Sequence, residues 1–238
     1  MSSQLRYAVP WKQVFGLSPA IAAGRRHSVS AFAAAVVARM DPPPLALGVE
    51  NLPPDARFVL AANHYQRKGM WILHPASAIT QVIAGHYGPE EPPVRWIVTA
   101  NWPRWRIGPW TFPSPGDILL PKVAYALWCY PVSLAGANPQ FTARSLRQLL
   151  RDAPKLTRPL GLFPEGVRGS AGQLTEPLAG VGRLIRLLAS TGMPLVPVGI
   201  SEAGRLILRF GPLLSPDTLL DADDPAKLAM RHIAALSG

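Results

Sequence analysis

Two short stretches of this 238-residue chain carry the residue types best suited to chemistry. Asn63 and His64 end an apolar run, and Phe163-Pro164-Glu165-Gly166-Val167-Arg168 follows another run about a hundred residues later. A neutral imidazole can take a proton from a hydroxyl group, and a guanidinium fork matches phosphate oxygens. We therefore predict one site in which His64 is a base and Arg168 binds an anion. The alternatives are a histidine that only caps or packs, and a structural Arg–Glu pair beside a glycine turn.

A third feature is the segment 95–110, in which tryptophans and arginines alternate. Tryptophan rings suit the headgroup depth of a bilayer, and arginines suit anionic lipid. Core packing and single-stranded nucleic acid are the alternatives, and packing is expected for Trp96, which falls in a strand candidate. We expect a membrane surface rather than nucleic acid as the partner. The predicted interface residues are Trp102, Arg104, Trp105, Arg106 and Trp110.

Composition narrows the class of protein. Hydrophobic residues make up 48% of the chain and charged residues 16%, which indicates a globular core. The formal net charge is +10, and 19 of the 24 basic residues are arginine, which suits an anionic substrate or membrane. The lone Cys129 excludes an intrachain disulfide. A His64/His74 metal site lacks further ligands at suitable spacing, so no metal is predicted. We identify no signal peptide and no apolar stretch of spanning length.

The elements that must position these residues are short apolar strands alternating with helices. Continuous apolar runs suit strands buried on both faces, and N-cap residues before proline mark helix starts at Ser18, Asn138 and Asp224. The predicted strands are 57–61, 94–98, 131–134, 160–163, 195–200 and 206–210. The predicted helices are 19–40, 66–84, 117–130, 139–152, 176–191 and 225–236. We predict an α/β domain with a mixed, mostly parallel sheet, in which His64 and Glu165 follow strands whose carboxyl ends share a crevice.

The order of the motifs resembles the phospholipid/glycerol acyltransferase family over about residues 57–213. Phe163–Arg168 is similar to its phenylalanine-proline-glutamate-glycine-threonine-arginine signature, with Val167 in place of threonine. Gly180–Arg183 resembles the glycine-led helix that follows, Pro194–Gly199 the last proline-valine block, and Asn63-His64 the first. The family places an aspartate five residues after the histidine, where this chain has Gly69. Glu165, a backbone carbonyl or the loop 65–68 could replace that partner.

The resemblance implies a single acyltransferase-like domain over 1–238, in which residues 1–45 hold an N-terminal helix that is either interfacial or packed. It implies transfer of a fatty acyl chain from acyl-coenzyme A or acyl carrier protein to a glycerol-phosphate or lysophospholipid hydroxyl. No cofactor is expected. His64 and Glu165 would be catalytic, and Asn63, Gly166 and Arg168 would bind substrate.

A second phosphate-binding arginine is missing from residues 132–136, so Arg144 or Arg147 on the next helix could replace it. The expected location is the cytoplasmic face of a membrane, peripheral or monotopic. The alternative functions are a family member that binds lipid without catalysis and a basic nucleic-acid binder.

Overall fold

One seven-stranded sheet organises the part of the chain that the structure describes. A computed structural model describes residues 7–8, 11–88, 90–99, 105–107, 110–112, 115–133, 139–166 and 173–238. The strands in these ranges are β1 Leu45–Leu47, β2 Val59–Ala62, β3 Arg95–Thr99, β4 Trp105–Ile107, β5 Trp110–Phe112, β6 Tyr130–Val132, β7 Leu160–Leu162, β8 Leu195–Glu202 and β9 Leu206–Phe210. The helices are α1 Trp11–Gly16, α2 Ser18–Ala22, α3 Val29–Val37, α4 Leu73–Tyr87, α5 Pro115–Ala126, α6 Pro139–Asp152, α7 Val181–Ala189, α8 Pro216–Asp221 and α9 Pro225–Ser237.

The sheet is mixed and mostly parallel, in the order β1-β9-β8-β2-β7-β3-β6. Strand β2 pairs in parallel with β8 and β7, and β3 pairs in parallel with β7 and β6. The strands predicted over 195–200 and 206–210 form a hairpin, because β8 pairs with β9 in antiparallel fashion. Strands β4 and β5 form a separate antiparallel pair. The sequence does not predict β1, β4 or β5. Each of these strands is only three residues long and shows no clear alternation of apolar and polar residues.

Helices cover both faces of the sheet, so the strand core is buried on two sides. Alternate residues of a strand point to opposite faces. Val59 and Ala61 accordingly join one buried cluster with residues of α6, α7 and α9, whereas Leu60 and Ala62 join another with residues of α4. Every residue of β2 and β7 is buried, which is why these strands read as continuous apolar runs.

Two helices predicted in the first 90 residues are wrong in extent. The single helix expected over 19–40 is broken into α2 and α3, with Gly24 at φ +61° between them. Ser18 lies inside α2 rather than capping it. The helix expected over 66–84 begins only at Leu73, because the preceding loop contains Gly69 at φ +87°. Pro75 falls in the first turn of α4, where a missing N–H disrupts nothing.

Of the other predicted helices, those over 139–152 and 225–236 agree with the structure, whereas the one over 176–191 is limited to Val181–Ala189 and the one over 117–130 ends at Ala126. The helix over 139–152 is α6, and Asp224 caps α9 by accepting hydrogen bonds from the N–H groups of Ala226 (2.9 Å) and Lys227 (3.2 Å). The predicted cap Asn138 lies outside the described residues. Among the described residues, no helix combines the length and apolarity needed to cross a bilayer.

Candidate active site

The carboxyl ends of β2 and β7 bring His64 and Glu165 together, as the sequence predicts. The two strands are parallel neighbours, with Ala61 opposite Leu162. His64 follows β2 by two residues and Glu165 follows β7 by three. The main-chain N–H of His64 donates a hydrogen bond to Glu165 Oε2 over 2.5 Å. Residues about a hundred positions apart in sequence are thus joined directly.

Glu165 ties the His64 backbone to the segment after β7. Its side chain is 1% exposed. The other carboxylate oxygen, Oε1, accepts from the Thr175 N–H (2.6 Å) and from the Thr175 hydroxyl (3.2 Å). A buried carboxylate needs such donors, since an unpaired one would be strongly disfavoured. Glu165 therefore holds two stretches of main chain in place.

The turn that presents Glu165 depends on Gly166. Its φ is +60°, a left-handed conformation that side chains disfavour, and its N–H donates to the Phe163 carbonyl over 3.0 Å. The tight turn expected from the sequence is therefore present. Gly166 also lines the cavity beside His64. Its role in substrate binding stays a prediction.

Asn63 is buried beneath the site, and its amide is engaged by β8. Its Nδ2 donates to the Ile200 carbonyl over 3.0 Å, and its Oδ1 accepts from the Ile200 N–H over 2.7 Å. This reciprocal pair extends the contact between the ends of β2 and β8. The contact of Asn63 with substrate stays a prediction. Its two hydrogen bonds to the Ile200 main chain explain why the residue at this position is an amide.

An apolar cavity of about 390 Å³ opens beside His64. His64, Phe163 and Gly166 line it near the strand ends. The remaining wall comes from α3, α4, α7 and the strands β3 and β6 and is largely aliphatic or aromatic, with Phe32, Ile72, Leu73, Val98, Leu127 and Leu184 among its residues. A cavity of this volume and polarity suits a small apolar ligand or an alkyl chain.

Stacked rings form one wall of this cavity. Trp96 and Phe163 stack with their centroids 5.0 Å apart and their planes 7° apart, and the Phe163 ring meets the His64 ring edge-on at 5.6 Å. Gly161 makes this possible, because a Cβ there would lie 2.4 Å from the Trp96 ring. Trp96 also donates from Nε1 to the Thr80 hydroxyl over 3.1 Å. Packing of Trp96 is thus confirmed.

The loop after His64 is held by the end of β8. Glu202 accepts a hydrogen bond from Arg67 Nε over 2.5 Å and forms an ion pair with the Arg67 Nη2 group. The Tyr65 hydroxyl donates to the same carboxylate over 3.3 Å. The hydrogen bond to Glu202 raises the pKa of Arg67, and burial together with Glu202 raises the pKa of Tyr65. The guanidinium is therefore charged at any working pH.

Several predicted residues lie elsewhere or outside the description. Arg168, Trp102 and Arg104 lie outside the described residues, as do the side chains of Trp105, Arg106 and Trp110. Arg144 and Arg147 are exposed on α6 and do not line the cavity. His74 is fully buried, and its Nδ1 accepts a hydrogen bond from the Trp71 N–H over 3.1 Å.

Sequence reasoning missed Glu202, Thr175 and Tyr7. Glu202 comes two residues after the apolar run of β8. A charged residue at the carboxyl end of a buried strand is a sequence signal that could have marked it as a site residue. Its relation to the loop after β2 depends on β8 being the neighbour of β2, which strand order alone reveals. Thr175 and Tyr7 carry no local signal, because their partners are 10 and 199 residues away.

Comparisons with known proteins show a similarity of fold. No protein-family model matches the chain, and no curated protein sequence matches it either. Among solved structures, the chain is similar to the 1-acyl-sn-glycerophosphate (LPA) acyltransferase PlsC from Thermotoga maritima. The TM-score is 0.57 at 18% identity, over 87% of this chain and 76% of that chain. The chain therefore shares the α/β fold of that acyltransferase, and the fold class predicted from the sequence is confirmed.

Proposed function

We propose that the protein is an O-acyltransferase that moves a fatty acyl chain from a thioester to a hydroxyl group of a glycerol-phosphate or lysophospholipid acceptor. One observation supports this above others: His64 stands in the wall of an apolar cavity of about 390 Å³. A base beside an apolar cavity can deprotonate a hydroxyl while the alkyl part of a substrate is kept from water. The shared fold with an LPA acyltransferase supports the same reaction class.

The reaction needs only a proton carrier and an activated acyl group. The acceptor oxygen attacks the thioester carbonyl carbon as His64 takes the hydroxyl proton, and the tetrahedral intermediate then expels the thiolate. The carbon–sulfur bond breaks, the carbon–oxygen bond remains, and the proton passes to the thiolate sulfur. The products are an ester and a free thiol. Acyl-coenzyme A or acyl carrier protein is the donor substrate, and no cofactor is consumed.

Within this reaction, Glu165 orients His64 through the main chain. Its carboxylate fixes the His64 N–H and the Thr175 N–H at once. Arg168 binds the phosphate of the acceptor, because it comes two residues after Gly166 in the sequence and a guanidinium fork matches phosphate. Arg144 and Arg147 are a second set of cations for the acceptor headgroup, exposed on α6.

We place the protein at the cytoplasmic membrane surface, bound peripherally or monotopically. An exposed aromatic patch supports this, formed by Trp11, Phe15 and Trp71, whose side chains are 53%, 68% and 46% exposed. The Trp11 ring lies 6.0 Å from both other rings. Ile72 and Leu73, directly after Trp71, line the cavity. A membrane contact here would bring acyl chains to the cavity wall.

A non-catalytic lipid-binding role is the second candidate function. Gly69 favours it, since a glycine offers no carboxylate to a histidine five residues earlier. Loss of the carboxylate partner costs a serine-protease histidine roughly 10⁴ in rate. This role predicts binding of lysophospholipid or anionic vesicles that survives His64→Ala.

A thiol-release assay separates the two functions. The purified protein is incubated with acyl-coenzyme A or acyl carrier protein donors and a panel of lysophospholipid and glycerol-phosphate acceptors. The proposed enzyme releases thiol in an acceptor-dependent manner and forms the ester in equal amount. Lipid binding without thiol release from any donor and acceptor would leave only the second function.

A further inference from the structure

We propose that a buried cluster of Tyr7, Tyr65, Arg67 and Glu202, called the loop clamp below, positions His64 for proton transfer. The proposal rests on the proposed function for its chemistry, but its geometry is independent of any substrate. The clamp acts on the loop of residues 63–70, which begins at the end of β2 and carries the histidine. Its members are positioning residues, since each acts through the loop.

The centre of the clamp is a bidentate ion pair between Arg67 and Glu202. Arg67 Nε donates to Glu202 Oε2 over 2.5 Å, and its Nη2 donates to Glu202 Oε1. The two side chains are only 8% and 11% exposed. A buried pair of this kind contributes little net stability, because desolvation offsets the attraction. What a fork-to-carboxylate pair does supply is a fixed geometry.

Several hydrogen bonds by or beside the ion pair fix the loop that follows His64. Arg67 Nη1 donates to the Lys68 carbonyl over 2.8 Å. The main chains of Arg67 and Met70 exchange hydrogen bonds of 3.2 and 3.0 Å. Tyr65, the next residue after His64, donates its hydroxyl to Glu202 over 3.3 Å. His64 is therefore held by Glu165 at its own N–H and by Glu202 through the residues that follow.

Tyr7 closes the clamp from the other end of the chain. Its N–H donates to the Gly69 carbonyl over 3.1 Å, and its hydroxyl accepts from the Leu206 N–H over 3.1 Å. Leu206 pairs with Glu202 in the β8–β9 hairpin. The side chain of Tyr7 is 4% exposed. Position 69 is thus held by its main chain, and Tyr7 joins the loop of His64 to the β8–β9 hairpin.

This arrangement fixes the main chain on both sides of His64. General-base catalysis needs the imidazole within hydrogen-bond reach of the proton that it takes. A displacement of about 1 Å at the reacting groups can cost about 10²-fold in rate. Loosening the clamp should therefore lower kcat while substrate binding, which depends on the cavity, changes little.

The test removes the ion pair without leaving a buried charge. In the double variant R67M/E202M both charged groups become apolar, a change that proteins commonly tolerate. We expect kcat to fall about 10²-fold with KM little changed. Tyr65→Phe, which removes only one hydroxyl, should lower kcat in the same direction by less and keeps the test open if the double variant does not fold. R158M/E90Q is the control for loss of an ion pair elsewhere, since Arg158 and Glu90 form a pair at 2.8 Å and Arg158, like Arg67, is 8% exposed.

A second readout follows the histidine itself. Nitrogen NMR of the imidazoles, with the His64 signals identified by their loss in His64→Gln, should show shifted or split His64 signals in R67M/E202M and unchanged ones in R158M/E90Q. Unaltered His64 signals and unaltered kcat in folded R67M/E202M would overturn the proposal. Absence of turnover in the wild type would contradict the proposed function instead, and the imidazole signals would still decide for or against the clamp.

Discussion

The surroundings of His64 fix its main chain and pack against its ring. Glu165 accepts its N–H over 2.5 Å, the Phe163 ring lies against its imidazole, and its Nδ1 atom is buried. The backbone of His64 is thus fixed while its side chain lines the cavity. In the proposed reaction, a ring nitrogen with a free in-plane lone pair would have to reach the acceptor hydroxyl.

Gly69 stands where the resembled family has an aspartate. The variant Gly69→Asp tests whether the loop can accept that aspartate. The φ of Gly69, +87°, lies in a region that L side chains rarely adopt. Gly69→Asp should therefore lower the free energy of unfolding by about 1–3 kcal/mol and should not increase kcat. Denaturant unfolding and the thiol-release assay measure the two effects.

Gly85→Asp is the control for Gly69→Asp, because Gly85 has open space around it and an ordinary helical backbone. It should change the free energy of unfolding by no more than about 0.5 kcal/mol, because Asp has a slightly better helix propensity than Gly while its charge is mildly unfavourable in the last turn of α4. A gain in kcat from Gly69→Asp would show that the loop can accept the family's aspartate, contrary to the loop clamp.

At the scale of elements, α3 forms part of the cavity wall and is anchored by a distant carboxylate. Glu91 accepts hydrogen bonds from the Ser28 hydroxyl (2.6 Å) and from the N–H groups of Val29 (2.8 Å) and Ser30 (3.0 Å). Burial would raise the pKa of Glu91, but these hydrogen bonds outweigh it and lower the pKa. The charged form is thus favoured at the helix N-terminus.

Glu91→Gln should lower the free energy of unfolding at pH 7 by about 1 kcal/mol, because the carboxylate both caps the helix and offsets its dipole. A group whose pKa is lower in the folded state stabilises above its unfolded pKa and loses that effect as the pH falls. The difference between variant and wild type should therefore shrink below pH 4.5, the ordinary value, and vanish below the folded pKa.

Denaturant unfolding at several pH values measures this difference. Glu176→Gln is the control, because Glu176 is exposed and its contact with Lys227 is long, at 3.8 Å. Such a surface pair contributes little. A pH-independent difference for Glu91→Gln would contradict the role of the charged carboxylate.

The sequence predicted elements well where burial alone determines them and poorly where tertiary contacts do. Strands β2, β7 and β8 were found because they are buried on both faces, and α9 because Asp224 and its proline mark the start. For the loop before α4 the sequence predicts helix, because the contact with Glu202 and the positive φ of Gly69 that define the loop are tertiary and backbone features. The joint site of His64 and Glu165 was predictable from strand ends, whereas the donors to Glu165 were not.

At the scale of the whole molecule, the proposed membrane contact combines charge and exposed aromatic rings. The net charge of +10 would favour anionic lipid, and the patch of Trp11, Phe15 and Trp71 would supply the rings at the interface. Vesicle binding should therefore be stronger with anionic lipid and weaker at high salt.

The double variant W11A/W71A tests the patch directly. Each lost ring should weaken binding to anionic vesicles by about tenfold, since roughly 60 Å² of apolar contact is worth about 1.5 kcal/mol. Vesicle co-sedimentation measures the effect, and Leu220→Ala, at another exposed apolar side chain, is the control. Equal binding by W11A/W71A and wild type would place the membrane contact elsewhere.

The central claim is that His64 transfers the proton of the acceptor hydroxyl, and one comparison tests it most directly. His64→Ala and His86→Ala remove a histidine from the cavity and from the exposed surface of α4, respectively. The proposed mechanism predicts that kcat/KM for acyl transfer falls by about 10²–10⁴-fold in His64→Ala and stays unchanged in His86→Ala. Equal kcat/KM for the two variants, in a wild type that turns over, would contradict it.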